Sequence, residues 1–350
     1  MQSVNRLTVV ISANGFGHIR RQILVARELL NRFKNFQVQF AVTDKQFQRF
    51  KLEIDALGQM AEAFPGVMEE SVRWRLDPKD YSDANLNGWE TEWINHPKLK
   101  GSDFVLSDNL VTALDYRPDT VLSGSFLWHE VVEIYSDLNE ACKKFVAREI
   151  DLLQIHRPKM ICNASIVTNR VGNLTDPVPV SWMVDNRGSI KSTSNDLKEL
   201  VLVHGGGTQA LNFQIREIVS CLRDAKFEVT TDLEDDEHRF DYDEKSWAKV
   251  GVAICRPGAG TATECVKWSI PMLVLRDESN SETEFIAEKL CELGLAHKID
   301  SPVETSQLFK LVGEVLSVES REAFLSPFRS CVKNGIVESV DFLEKHWNLS

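Results

Sequence analysis

The chain has no stripe of clustered cations: 40 lysines and arginines face 52 aspartates and glutamates, for a formal net charge of −12. Proteins whose main partner is a phosphate backbone present basic surfaces that release counterions, so nucleic acid is not the expected partner. Long apolar runs are also missing. No stretch approaches the roughly 18 residues that a membrane-spanning helix needs. Met1 leads through Asn5 and Arg6 directly into the short apolar run Leu7–Ser12, too brief for a signal peptide. The seven cysteines (Cys142, Cys162, Cys221, Cys255, Cys265, Cys291 and Cys331) show no C-x-x-C spacing and lie mostly in apolar surroundings. That pattern suggests no zinc site and reads as free thiols in a reducing compartment. A cytoplasmic location with no transmembrane segment and no metal is the expectation.

What is present is ordinary globular material: 350 residues, 43% hydrophobic and 26% charged, enough for two domains with sizeable cores. The most informative stretch runs from Val252 to Leu275. A short apolar run precedes a turn carrying Gly258 and Gly260, about ten helix-compatible residues follow, and Pro271 opens a second apolar run. This reads as a parallel βαβ unit. Its loop exposes backbone N–H groups at a helix N-terminus, where the dipole favours an anion such as a diphosphate. Glu264, one turn into the helix, is placed to accept hydrogen bonds from a ribose diol.

A second glycine loop lies near the start. The β-branched run Leu7–Ser12 reads as a buried parallel strand, and Asn14-Gly15-Phe16-Gly17-His18 leads into a helix whose apolar residues Ile23, Leu24, Ala26, Leu29 and Leu30 recur at helical spacing. Such a loop can serve packing alone. His18, in the first turn, falls at the carboxyl end of a central strand, where open α/β sheets bind ligands, and the helix N-terminus disfavours its cationic form, leaving the imidazole available as a base. Phe36–Thr43 and Gln46–Leu57 read as a strand and a helix. Residues 58–100, with Trp74, Trp89 and Trp93 among prolines and glycines, are too interrupted for regular core elements. This segment is expected to be either an acceptor-binding insertion or a loop anchored by its indoles.

Further on, strands at 103–107 and 120–123 exit at Asp108 and at the segment containing His129, so both residues are expected at the crevice that holds His18. Asp108 could equally cap the next helix, and His129 could be a packed or solvent-facing helix residue. A long helix at 133–154 and strands at 159–163 and 178–184 follow. Polar residues 185–195 read as a linker. Leu200-Val-Leu-Val-His204-Gly205-Gly206-Gly207-Thr208 then opens a second βα pattern, continuing with a helix at 210–222 and a strand at 227–230. The acidic run Asp232–Glu237 reads as a solvated loop rather than a metal site. Glu282 and Glu284, at the start of a helix, could bind sugar hydroxyls or merely complement the helix dipole. Helices at 306–316 and 319–346 complete the chain.

Arg256-x-Gly258-Ala259-x-Thr261-x-x-Glu264, followed by Ile270-Pro271, resembles the donor-nucleotide motif of GT-B glycosyltransferases, and particularly that of the lipid II N-acetylglucosaminyltransferase family. Gly15-x-Gly17-His18 and Gly205-Gly206-Gly207-Thr208 are similar to the two glycine loops of that superfamily. Ser107-Asp108, Ser125-Phe126-x-Trp128 and Asn280-x-Glu282-x-Glu284-Phe285 resemble the GT-B-type domain of plant L-arabinokinases. Gly17-His18-x-x-Arg21 resembles the UDP-sugar hydrolase of pseudaminic acid synthesis.

The resemblance implies an α/β protein of GT-B fold, two Rossmann-like doubly wound domains with an interdomain cleft. The expected layout is an N-terminal acceptor domain at 1–184, a linker at 185–195, a donor domain at 196–332, and a C-terminal helix at 333–350 that packs back on the first domain. It implies metal-independent, inverting transfer from a nucleotide sugar, a UDP-sugar by family analogy, to a small-molecule or glycan acceptor. The nucleotide sugar is a co-substrate and no other cofactor is expected. His18 would be the base or the group that stabilises the donor phosphate, and Asp108 its orienting partner. Gly15, Gly17, Gly206, Gly207, Thr208, Arg256, Gly258, Ala259, Gly260, Thr261, Glu264, Glu282 and Glu284 would line the donor site. Where the family often has Gln followed by Asn-Ala at the donor sugar, this chain has Thr283 and then Ile286-Ala287. Glu282 or Glu284 would stand in for that glutamine. Hydrolysis of a nucleotide sugar by the same machinery, and non-catalytic nucleotide-sugar binding, are the alternative functions.

Overall fold

The computed structural model describes residues 4–99, 101–185, 198–206, 211–277, 279–299 and 304–349. The chain divides into two compact units: residues 1–183 with 334–350, and residues 184–333. Most of the expected linker, together with Gly207 and Thr208, lies outside the described residues.

In the first unit, strands β1 (Asn5–Ile11), β2 (Phe36–Ala41), β3 (Ala61–Phe64), β4 (Phe104–Asp108), β5 (Val121–Ser123), β6 (Lys159–Asn163) and β7 (Asp176–Val180) form a parallel sheet. Its order is β3-β2-β1-β4-β5-β6-β7. The apolar residues of β1 are buried on both faces: Leu7, Val9 and Ile11 join one core and Val10 the other. Coverage of both faces is what a parallel sheet requires, since its crossover helices alternate sides. Chain order reverses between β1 and β4, which makes their carboxyl ends a topological switch point where ligands of such sheets bind.

The stretch 58–100 is more regular than its composition suggests. It supplies the edge strand β3 and two short helices, Asp83–Asn87 and Trp89–Asn95. Trp89 and Trp93 are buried and stack at 5.4 Å within the core that also contains Trp128. Helices of five and seven residues are too short to display a 3.6-residue period, which is why the sequence pattern dissolves there. These two indoles are packing residues. Trp74 is partly buried against the same core.

The expected helix at 133–154 is a short 3-10 turn, Glu133–Tyr135, followed by the helix Glu140–His156, which Asn139 caps. The expected helix at 319–346 is also two helices, Val318–Arg329 and Gly335–His346. Gly335 lies so close to the segment after β7 that an added Cβ would fall 2.1 Å from the Ser181 carbonyl oxygen. Gly335 N–H donates to Trp182 O at 3.1 Å, and the Glu338 carboxylate accepts from Ser181 N–H at 2.6 Å. Ile336, Val340 and Leu343 then enter the core beside the helix Gly17–Arg32, while Trp347 stacks on Phe104 at 4.7 Å. The C-terminal helix is thus an integral part of the first unit.

In the second unit, β8 (Leu200–His204), β9 (Val229–Thr231), β10 (Val250–Cys255), β11 (Met272–Leu275) and β12 (Ala296–Ile299) form a parallel sheet of order β12-β11-β10-β8-β9. Its reversal lies between β8 and β10, so this doubly wound sheet has its own switch point at their carboxyl ends. Among the described residues no helix is long and apolar enough to cross a membrane.

Candidate active site

The glycine loop after β1 is held by its neighbours before any ligand is considered. Gln46, which also completes the cap of the helix Asp44–Asp55, donates to Ser12 O at 2.8 Å and Gly15 O at 3.2 Å. Asn14 accepts from Trp74 N–H, and Ser71 from Ala13 N–H. Gly15 has φ +62°, a left-handed value that a side chain would strain. Gly17 begins the helix Gly17–Arg32, and His18 occupies its first turn.

His18 Nδ1 lies 2.7 Å from Asp108 Oδ1. Asp108 ends β4 and is fully buried. One Arg21 nitrogen reaches both of its oxygens, at 2.8 and 2.9 Å, and Gln22 donates to Oδ2 at 2.8 Å. Burial opposes the charged form of this carboxyl, but the charges of Arg21 and His18, with the hydrogen bonds from His18 and Gln22, outweigh it and lower its pKa from 3.8 to about 2. Asp108 is therefore ionised near neutrality and can only accept. It follows that His18 Nδ1 carries the proton, and in the neutral ring Nε2 presents a lone pair. The dyad thus has the arrangement of a general base oriented by a carboxylate, in which the carboxylate stabilises the imidazolium without taking its proton. Trp128 stacks on the His18 ring with centroids 6.4 Å apart, and Phe126 meets it edge-on at 6.3 Å.

Arg21 and Gln22 complete this cluster. Their positions three and four residues beyond His18 on the same helix face were the available signal, and Arg21 is also the last residue of the Gly17-His18-x-x-Arg21 pattern. His129 does not join the cluster. It is fully buried, its Nδ1 lies 3.4 Å from Glu149 Oε2, and its backbone N–H donates to the same oxygen at 2.8 Å. Burial pushes the Glu149 carboxyl pKa up, with His129 opposing.

In the second unit, the strand ends bring a line of polar groups together. After β10, Gly258 caps the helix Ala259–Trp268 with extended backbone and no side chain. Ala262 N–H donates to Gly258 O at 3.0 Å, opening the intrahelical ladder, so the N–H groups of Ala259, Gly260 and Thr261 point out of the helix end. Arg256 Nε donates to Asp277 Oδ2 at 2.5 Å, and Asp277, beyond the end of β11, is itself buried and receives the Ser279 hydroxyl. Gly206, with φ +71°, faces the Arg256 guanidinium: an added Cβ would stand 4.0 Å from it.

From the end of β8, His204 Nε2 meets Thr261 Oγ1 at 3.2 Å, while its Nδ1 meets Tyr242 Oη at 2.9 Å and Asp232 Oδ2 at 2.8 Å. Asp232 also accepts from Gly205 N–H. The first residue of the acidic run is thus directed at a strand-end histidine. Two later carboxylates of the run pair with arginines, Asp235 with Arg216 and Asp236 with Arg223. A run of like charge gives no hint that its members point to different partners.

Glu264 lies one turn into the helix Ala259–Trp268 and is half-buried. Glu282 and Glu284 lie in the first turn of the helix Ser281–Glu292, which Asn280 caps by accepting from Thr283 N–H. Glu284 forms ion pairs with Arg276 at 3.1 Å and Lys298 at 3.4 Å. Glu282 is buried.

Two doubly wound parallel sheets, each with a glycine loop at its switch point, define the GT-B fold. No family model matches the chain, and no curated protein matches it in sequence. Solved structures do match. The glycotransferase of kitacinnamycin superposes with a TM-score of 0.69 at 15% identity, over 99% of this chain and 100% of that one. UGT2 of Phytolacca americana, complexed with UDP-2fluoro-glucose and pterostilbene, gives 0.69 at 12% identity over 99% of both chains. A UDP-glucose: anthocyanidin 3-O-glucosyltransferase in complex with UDP gives 0.68 at 11% identity over the whole of both. At such identities the likeness is one of fold.

Proposed function

We propose that the protein is a glycosyltransferase that moves a sugar from a nucleotide donor, a UDP-sugar, to a small-molecule or glycan hydroxyl. Inverting, metal-independent transfer is the form of the reaction. In this reading the enzyme works in the cytoplasm. His18 takes the proton of the acceptor hydroxyl through Nε2, and Asp108 stabilises the imidazolium that forms. The outward N–H groups at Ala259, Gly260 and Thr261, the helix dipole and the Arg256 guanidinium hold the departing diphosphate and neutralise the charge that develops on it. Glu264 accepts from the ribose diol. Glu282 reads the donor sugar, whereas the ion pairs of Glu284 support a role in stabilising its own helix.

The observation that carries this reading is the 2.7 Å contact of His18 with a buried, ionised aspartate at the switch point of the first sheet. A general base contributes about 10²- to 10⁴-fold to rate. His18→Ala should therefore lower UDP release from UDP-sugars, assayed over a panel of hydroxyl acceptors, by at least about a hundredfold, with nucleotide binding retained. Turnover within a few-fold of wild type would remove His18 from the mechanism. The same assay run without an acceptor separates transfer from hydrolysis, because only a hydrolase releases free sugar at full rate to water.

A further inference from the structure

His204 has no role in the reaction just proposed, yet its ring is surrounded by groups that can accept hydrogen bonds. Asp232, beyond the end of β9, and Tyr242, in the loop before the helix Glu244–Lys249, meet Nδ1; Thr261, from the helix Ala259–Trp268, meets Nε2. The charged and titratable groups around it are the Asp232 carboxylate, the Tyr242 phenol, the Cys255 thiol on the neighbouring strand, and Arg256, whose backbone N–H donates to His204 O. Cys255 is paired in register with His204 across β8 and β10. Burial, and then the Asp232 charge, push the Cys255 pKa up to about 12, so this thiol is neutral.

The charge of the ring decides which way its contact with Thr261 runs. A neutral imidazole with Nδ1–H directed at Asp232 has a lone pair on Nε2, and the Thr261 hydroxyl must donate to it. An imidazolium donates from both nitrogens. Thr261 Oγ1 then accepts, and its own proton is free to point at an anion in front of the helix end, where the Thr261 N–H also points.

We infer that His204 is a positioning residue for the donor diphosphate: on binding, it holds a proton, donates to Thr261 Oγ1 and turns the Thr261 hydroxyl onto a phosphate oxygen, with Asp232 balancing the imidazolium charge. The inference rests on the reading that the loop 258–261 holds the diphosphate. The proton comes from solvent, and N–H is the only covalent bond made.

Binding of UDP-glucose to the full chain, followed by titration calorimetry in buffers of differing ionisation enthalpy, tests this. The ligand's diphosphate is esterified at both ends and carries no proton that titrates near neutrality, so any proton taken up belongs to the protein. The expected result is uptake approaching about one proton per nucleotide at alkaline pH, with the dissociation constant rising up to about tenfold per pH unit there. His204→Gln, which can donate to Thr261 but cannot titrate near neutrality, should abolish both effects. Asp232→Asn, as a second variant, should weaken binding and shift the proton linkage to lower pH. UDP-glucose that binds with no proton uptake, or with uptake that persists in His204→Gln, overturns the relay and leaves the donor site standing. UDP-glucose that binds at no pH overturns the donor site and the relay together.

Discussion

Replacing Asp108 by asparagine is the most demanding perturbation of the first unit, because one buried carboxylate serves three donors. The amide keeps the shape and loses the charge. Arg21, whose side chain is only 17% exposed, would be left without its anion, and one end of the amide would present N–H groups to His18, Arg21 or Gln22. Removing one partner of a buried ion pair costs about 3–5 kcal/mol. Since Arg21 retains some access to water, about 3 kcal/mol is expected, which lowers the melting temperature of a unit of this size by about 6–12 °C.

The loss must also depend on pH in a fixed direction. The Asp108 carboxyl pKa is depressed from 3.8 to about 2, so its contribution is complete above the ordinary value and disappears as the pH falls through about 2. At about 1.4 kcal/mol per pH unit, this contribution is on the order of 2–3 kcal/mol. Melting curves of wild type and Asp108→Asn should therefore be far apart at pH 6 and converge as the pH is lowered toward about 2. Turnover should fall as well, since a wrongly oriented imidazole loses much of its value as a base, about 10⁴-fold in the best-studied serine hydrolase case. A melting temperature within about 2 °C of wild type at pH 6 would refute the account of Asp108 as the charge that organises this cluster.

Other outcomes follow from single contacts. Gly335→Ala would drive a methyl group to 2.1 Å from Ser181 O; thermal unfolding should show a loss of about 1–3 kcal/mol. Deleting residues 334–350 should leave the first unit unable to give a cooperative melt, because Ile336, Val340 and Leu343 belong to its core. A methyl at Gly124 would fall 1.4 Å from Asn109 Oδ1, so Gly124→Ala should destabilise. Asn109 has φ +60°, and Asn109→Gly should rescue the Gly124→Ala chain, a coupling that a double-mutant cycle reads directly. Trp89→Ala should cost about 3–5 kcal/mol in a denaturant melt and leave nucleotide affinity unchanged, in keeping with an indole that only packs.

The strand-loop-helix grammar was legible without coordinates. Short apolar runs bounded by turn signals read as parallel strands buried on both faces, so β1, β6, β8 and β10 are recognisable within a residue or two. Glycines that precede a helical period mark the turns between them. That local information was enough to put His18 and Thr261 at strand ends. It was also enough to expect two βα domains; that both sheets are doubly wound was what the family resemblance implied.

The sequence brought Asp108 and His129 alike to the crevice of His18, and the spacing of the residues did not show which of the two meets it. His18 and Asp108 are 90 positions apart, and their contact exists because β1 and β4 are neighbours across the switch point. His129, equally plausible from its position, is carried into the core and matched to Glu149. Asp232 looked like one charge in a solvated run, and only the adjacency of β8 and β9 directs it at His204. Glycine loops, apolar periods and caps are local, set by neighbours within a few residues. Partner choice among buried polar groups is not, since it depends on sheet order and register, which bring together side chains far apart in the chain and decide which charge each must satisfy.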